Sequence, residues 1–163
     1  MQVGHAGQQR ARCHGSAVRL CVGRDGGDAP CPVPGHEHIA RPAGGQQGIG
    51  REKLSDNYSQ FVIAGGPIGA VHPKFSAWHK AYWDNLDITV SLHHIKRVVG
   101  ISHRDCGAAK LAFGEDKVAT KEIETESHAE ALNEFRRQVQ KRHPKLSVIT
   151  GVMGLDGRVD LIG

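Results

Sequence analysis

The stretch RVVGISHRDCGAAK, residues 97–110, decides the fold of this chain. Its first six residues form a β-branched run with little polar alternation, which is typical of a parallel strand covered on both faces. The run stops at His103, Cys106 and Gly107 follow, and residues 107–113 form a short helical pattern. A buried strand that ends in a tight turn and continues into a helix favours an α/β fold.

The flanking segments alternate between strand and helix patterns. Residues 59–64 predict a short strand, and the GGPIG sequence at 65–69 predicts a turn. Two long helices are predicted at 73–94 and 122–143, with apolar stripes formed by Trp78, Tyr82, Leu86 and Val90 and by Leu132, Phe135 and Val139. Strands at 146–152 and 158–162 enclose the turn Asp156-Gly157. We therefore expect an α/β fold with a mostly parallel sheet flanked by helices and a C-terminal strand hairpin.

Residues 1–53 differ in composition from the rest of the chain. The first 50 residues hold 11 of the 21 glycines and 4 of the 7 prolines, but no Phe, Tyr, Trp or Lys. So few large apolar groups bury too little surface to offset the entropy of ordering. We expect an irregular, disordered N-terminal segment at 1–53, or a frame-shifted translation of DNA that encoded part of the domain, and a folded domain at 54–163.

Charge and hydropathy exclude several classes of protein. The formal net charge of +4 comes without a basic stripe interleaved with aromatic residues, so nucleic acid is not an expected partner. Nowhere does an apolar run approach the ~18 residues of a membrane span, and the first residues do not resemble a signal peptide. We therefore expect a cytoplasmic protein without a membrane partner, whose four cysteines are reduced thiols or ligands.

His103 and Cys106 form the candidate site of this sequence. Imidazole and thiolate are both good Zn²⁺ ligands, and a spacing of three allows one turn to present both to one ion. In open parallel sheets, ligands bind beyond the carboxyl ends of the strands, where this pair is expected. The competing interpretation is a structural turn with a buried cysteine. Asp105 either hydrogen-bonds a ligand or caps the helix that follows.

These residues carry a resemblance to the β-class carbonic anhydrases. The stretch 97–110 resembles the second zinc-ligand motif of that family, in which a buried strand ends in His-x-x-Cys-Gly-Ala. Residues 61–70, 84–96 and 147–162 resemble, in order, the strand and Ala-Gly turn that border the active site, the helix before the motif strand, and the closing hairpin. The resemblance covers about residues 55–163.

The resemblance implies a function and a set of site residues. It implies reversible hydration of CO₂ to bicarbonate by hydroxide generated on Zn²⁺, in a homodimer or higher oligomer. His103 and Cys106 are then metal ligands, and the pocket is lined by Gly65, Gly66, Asp105 and Gly107.

The family's Cys-x-Asp-x-Arg motif does not occur in this sequence. Its Asp–Arg pair therefore has no counterpart, and the catalytic residues are not assigned. Cys31 and Cys21 are the candidates for the third zinc ligand. Two alternatives follow: a catalytically inactive carbonic-anhydrase-like fold with weak or no metal binding, and a redox sensor that uses the thiol of Cys106.

Overall fold

The computed structural model describes residues 17–22 and 58–163. Its strands are β1 (Ala17–Val22), β2 (Tyr58–Val62), β3 (Ile95–His103), β4 (Ser147–Met153) and β5 (Val159–Ile162). Its helices are α1 (Pro67–Val71), α2 (Ser76–His93), α3 (Gly107–Phe113) and α4 (Lys121–Arg142). Short 3₁₀ turns at Pro73–Phe75 and Glu115–Val118 precede α2 and α4.

The five strands form one mixed sheet in the order β2-β1-β3-β4-β5. Only β3 and β4 are parallel neighbours, because β1 runs antiparallel to both β2 and β3, and β5 runs antiparallel to β4. The α/β class and the C-terminal hairpin are confirmed, but the prediction of a mostly parallel sheet is wrong. Strands β2, β3 and β4 do point the same way, and the reversed strand β1 between β2 and β3 removes two parallel pairings.

Strand β1 falls inside the N-terminal segment that the composition predicts to be irregular. Residues 17–22 pair with β2 on one side and β3 on the other. The remainder of that segment, 1–16 and 23–53, lies outside the described residues. Disorder or a frame shift there, and the domain boundary near residue 54, stay predictions.

The four helices contribute to one hydrophobic cluster with the β3 residue Val98. Phe135 of α4 and Leu86 of α2 are fully buried in it. Gly100 leaves room for α4, because a Cβ there would lie 2.8 Å from the Phe135 ring. The opposite face of the sheet buries a smaller cluster that contains Val99 and Ile101. Successive residues of β3 are thus buried on opposite faces of the sheet, as the apolar sequence of this strand predicts.

Local signals explain where the helices and turns begin and end. The Thr120 side chain accepts a hydrogen bond from the Ile123 amide and caps α4, and Gly114 ends α3. Gly157 takes a φ of 81° in the β4–β5 turn, a conformation that glycine adopts without strain. Among the described residues, no helix is both long and apolar enough to cross a membrane.

Candidate metal centre

The motif lies at the carboxyl end of β3, as the sequence predicts. His103 is the last residue of β3, and Cys106 precedes the first residue of α3. The two side chains hydrogen-bond to each other across the Arg104-Asp105 turn. Cys106 is 3% exposed and His103 is partly exposed, so the pair is accessible from the imidazole side.

The orientation of the His103 ring suits a metal ligand. Its Nδ1 lies 2.8 Å from the backbone oxygen of Arg104. A carbonyl oxygen only accepts, so Nδ1 carries the proton and Nε2 is the nitrogen left for ligation. Metal-binding histidines generally donate their other N–H to such an acceptor. The hydrogen bond with Cys106 raises the pKa of His103, and the Arg104 carbonyl adds to the rise against the opposing effect of burial.

The surroundings of Cys106 favour its thiolate. Burial raises its pKa, but the hydrogen bond with His103 and those from the Ala109 and Ala108 amides outweigh burial, and the net pKa lies below the ordinary value. The thiolate is the form that binds metals and attacks electrophiles. A bound cation would therefore replace a proton shared within a preformed pair.

An open cleft of about 610 Å³ lies beside the motif turn. The motif turn, α3, the residues that lead into α4 and the β4–β5 turn form its walls. Charged residues of both signs line the cleft: Arg104, Asp105, Lys110, Lys121, Glu124, Asp156, Arg158 and Asp160. The Asp105 carboxylate lies 3.1 Å from Lys110 Nζ, and no side chain caps α3. Of the two roles open to Asp105, the helix cap is therefore wrong.

The predicted pocket glycines occupy three different settings. Gly65 has a φ of 76°, and a Cβ on it would lie 3.1 Å from the Ala108 Cβ, so this turn packs directly on the start of α3. Gly66 precedes α1 with a φ of 53°. A Cβ on Gly107 would meet open space. The turn before α1 therefore borders the motif, but none of these three glycines lines the cleft, and of the four predicted lining residues the cleft contains Asp105.

The third ligand is not brought to this pair by the part of the chain that the structure describes. Cys21 pairs with Arg97, six residues before His103 along β3, which corresponds to roughly 20 Å at the rise of a strand. The antiparallel direction of β1 causes this separation. Cys31 lies outside the described residues, and residues 17–22 and 58–163 contain no cluster of three His, Cys, Asp or Glu side chains that could hold a metal ion.

Two residues of α4 that the sequence analysis overlooked lie close to the motif. Glu124 accepts hydrogen bonds from the Arg104 guanidinium and the Asp105 amide at 3.2 and 2.9 Å. His128 is fully buried one helical turn later. The signal in the sequence was a carboxylate and an imidazole four residues apart on the face of α4 that continues into Leu132.

Comparison with known proteins finds two relatives. An uncharacterized protein of Rickettsia bellii is 38% identical over 109 residues, which are 67% of this chain and 66% of that protein. An uncharacterized protein of Rickettsia conorii is 38% identical over 109 residues, which are 59% of its length. The matched part of the chain thus spans 59–66% of the length of these curated relatives. Neither a family model nor a solved structure matches. Over these 109 residues the chain is a homologue of the two rickettsial proteins.

Proposed function

We propose that this chain is a β-carbonic-anhydrase-like zinc protein, in which His103 and Cys106 supply two metal ligands. The supporting observation is the hydrogen-bonded imidazole–thiol pair at the carboxyl end of β3, with His103 Nδ1 anchored on the Arg104 carbonyl. This donor set fits two of the four positions of a zinc site. The other positions require water and at least one donor from outside the described residues, of which Cys31 is the candidate named by the sequence.

The chain's own groups have defined tasks in this proposal. His103 offers the Nε2 lone pair, and Cys106 offers a thiolate that the amides of Ala108 and Ala109 stabilise. Zinc bound at such a site supplies hydroxide near neutral pH, which is the reagent for hydrating CO₂ to bicarbonate. Assembly as a homodimer belongs to the same proposal.

Metal analysis of the purified full-length protein tests the proposal. We expect about one zinc per chain, and loss of zinc in His103→Ala and Cys106→Ser. His93→Ala, at an exposed position of α2, and Cys21→Ser, about 20 Å along β3 from His103, are controls that should retain the metal. Loss of zinc in Cys31→Ser would identify the third ligand. Absence of zinc from the unmodified protein would contradict metal binding.

A CO₂ hydration assay separates the enzyme from the inactive fold. Hydration that depends on zinc and is lost in Cys106→Ser supports the enzyme. Zinc without hydration supports the non-catalytic alternative, which the lack of a third donor among the described residues favours.

A redox sensor is the second candidate, and the lowered pKa of Cys106 favours it. Cys106 is only 3% exposed, which restricts access of an oxidant to the sulfur. A protein without zinc, whose Cys106 is rapidly alkylated at pH 7, would support this alternative over the enzyme.

A further inference from the structure

Glu124 connects α4 to the turn between His103 and Cys106. It lies in the first turn of α4, and its side chain is 10% exposed. Oε2 accepts a hydrogen bond from the Arg104 guanidinium at 3.2 Å, and Oε1 accepts one from the backbone N–H of Asp105 at 2.9 Å. A single carboxylate therefore holds both residues that separate the two candidate ligands.

The turn needs such an anchor because its backbone is unusual. Asp105 has a φ of 53°, in the left-handed region that glycine adopts freely and aspartate adopts occasionally. The Arg104 side chain is 12% exposed and also donates to the Lys121 carbonyl, while its backbone N–H donates to the Met153 carbonyl at 2.9 Å. Contacts with β4 and α4 thus fix Arg104, and in the described part of the chain Glu124 accepts the hydrogen bond of the next backbone amide, that of Asp105.

We propose that Glu124 is a positioning residue that holds the Arg104-Asp105 turn so that His103 and Cys106 face one metal ion. This inference rests on the proposed function for the identity of the metal site, but not for the geometry of the turn. Glu124 does not touch the metal in this proposal. It acts through the backbone of Asp105 and the side chain of Arg104, as residues behind metal ligands commonly do.

Cobalt binding by the full-length protein tests the inference. Co²⁺ bound by a thiolate gives a charge-transfer absorption band, which reports coordination by cysteine rather than folding, and loss of the band in Cys106→Ser assigns it to Cys106. We expect Glu124→Ala to weaken cobalt affinity about 10–100-fold. Glu124→Gln keeps an oxygen for the Asp105 amide and should recover part of the affinity. Glu134→Ala is the matched control, since Glu134 pairs with Arg137 on the same helix but does not line the cleft.

Amide hydrogen exchange of Asp105 in the metal-free protein provides an independent readout. Losing a hydrogen bond to a carboxylate should speed exchange of this amide about 10-fold or more in Glu124→Ala. Amides within β3 should stay protected in the same sample, which separates a loosened turn from unfolding. Where Glu124→Ala does not fold, Glu124→Gln carries both measurements and should weaken cobalt binding relative to the unmodified protein.

The outcomes distinguish this inference from the proposed function. Equal cobalt affinity in all variants, with an Asp105 amide that stays protected in Glu124→Ala, would overturn the positioning role. An unmodified protein without the cobalt band would overturn the metal site. In that event, faster exchange of the Asp105 amide would still support the control of the turn by Glu124.

Discussion

The His128 side chain is fully buried, and neither ring nitrogen has a hydrogen-bond partner among the described residues. Its Nε2 lies 3.8 Å from Glu124 Oε1, which is too far for a hydrogen bond. Burial lowers the pKa of His128 to about 4; nearby Arg104 and His103 also lower it, and Glu124 opposes them. His128 is therefore neutral at pH 7, and its contact with Glu124 is not an ion pair.

Acid should destabilise the protein through His128. The pKa of this histidine is 6.5 in the unfolded chain and about 4 in the folded protein. Between these pH values the unfolded state therefore binds more protons than the folded state. As a result, the free energy of unfolding falls as the pH falls. The loss approaches about 3 kcal/mol at pH 4. Urea unfolding at pH 7, 6, 5 and 4.5 should show a flatter pH dependence for His128→Leu than for the unmodified protein.

The same substitution at an exposed histidine, His93→Leu, is the control for this experiment. We expect it to leave the pH dependence unchanged, because the His93 side chain is exposed at the end of α2 and belongs to neither hydrophobic cluster. Parallel curves for the unmodified protein and His128→Leu would show that His128 takes up no extra proton on unfolding.

Part of the site was predictable because its residues are close to each other in the sequence. His103 and Cys106 are separated by one turn, so their approach follows from the strand, the turn and the helix that the local sequence predicts. Glu124 lies 19 residues after Asp105, and its contact depends on how α4 packs, which no local pattern encodes. That the pair binds zinc stays a prediction.

Arg136 joins the middle of α4 to the C-terminal hairpin. Its guanidinium donates to the Thr150 hydroxyl in β4 and to the Ile162 carbonyl in β5, and also to the Asn133 side chain at 2.9 Å. Arg137, the next residue, is exposed and, in the part of the chain that the structure describes, pairs with the neighbouring Glu134 on the helix surface. Arg136 thus connects α4 to the sheet, whereas Arg137 forms a contact within the helix.

Replacing Arg136 by alanine should loosen β5. Hydrogen bonds from a charged donor contribute about 1.5–3 kcal/mol, so the free energy of unfolding in urea should fall by that amount. Arg137→Ala should cost less than about 1 kcal/mol, because its ion pair is exposed. Equal losses in the two variants would argue against a link between α4 and the hairpin.

Long elements with clear periodicity were predictable, and a short one was not. The observed bounds agree with the predicted ones to within one or two residues for helices α3 and α4 and for the β4–β5 hairpin. The same holds for α2, except that the predicted first turn of this helix is the 3₁₀ turn Pro73–Phe75. Helix α1 was predicted as a turn, because GGPIG is rich in turn residues and five residues are too few to show a period. Trp78, on the predicted stripe of α2, is 39% exposed and stacks on Phe75 instead of entering the core.

The presence and the direction of β1 separate the observed sheet from the predicted one, since the composition of residues 1–53 predicts no strand there. Side chains of a strand alternate between the two faces of the sheet with a period of two residues, whichever way the strand runs. The residue pattern of β1 therefore carries no information on the direction of this strand. In the structure, Ala17 pairs with Ile101 and Cys21 with Arg97, which sets β1 against its neighbours on both sides. As an internal strand, β1 pairs with one edge of β2 and with one edge of β3.

A proline in β1 should therefore disturb the entire sheet. Leu20 pairs with Ser59 on one side and with Val98 on the other, and Leu20→Pro removes an amide donor from this ladder. We expect a loss of about 1–3 kcal/mol or more in the free energy of unfolding, measured by thermal or urea unfolding. Leu20→Ala removes the side chain but keeps the amide, so the additional loss in the proline variant reports the backbone. Equal stability of the two variants would place residue 20 outside an internal strand.

The shared direction of β2, β3 and β4 divides the connecting loops into two groups. The motif turn, the β4–β5 turn at 154–158 and the residues that lead into α4 gather at one end and line the cleft. His94 and residues 143–146 join helices to strands at the opposite end and are not among the lining residues. We therefore expect an inserted residue to be tolerated better at His94, an exposed position between α2 and β3, than in the turns that line the cleft.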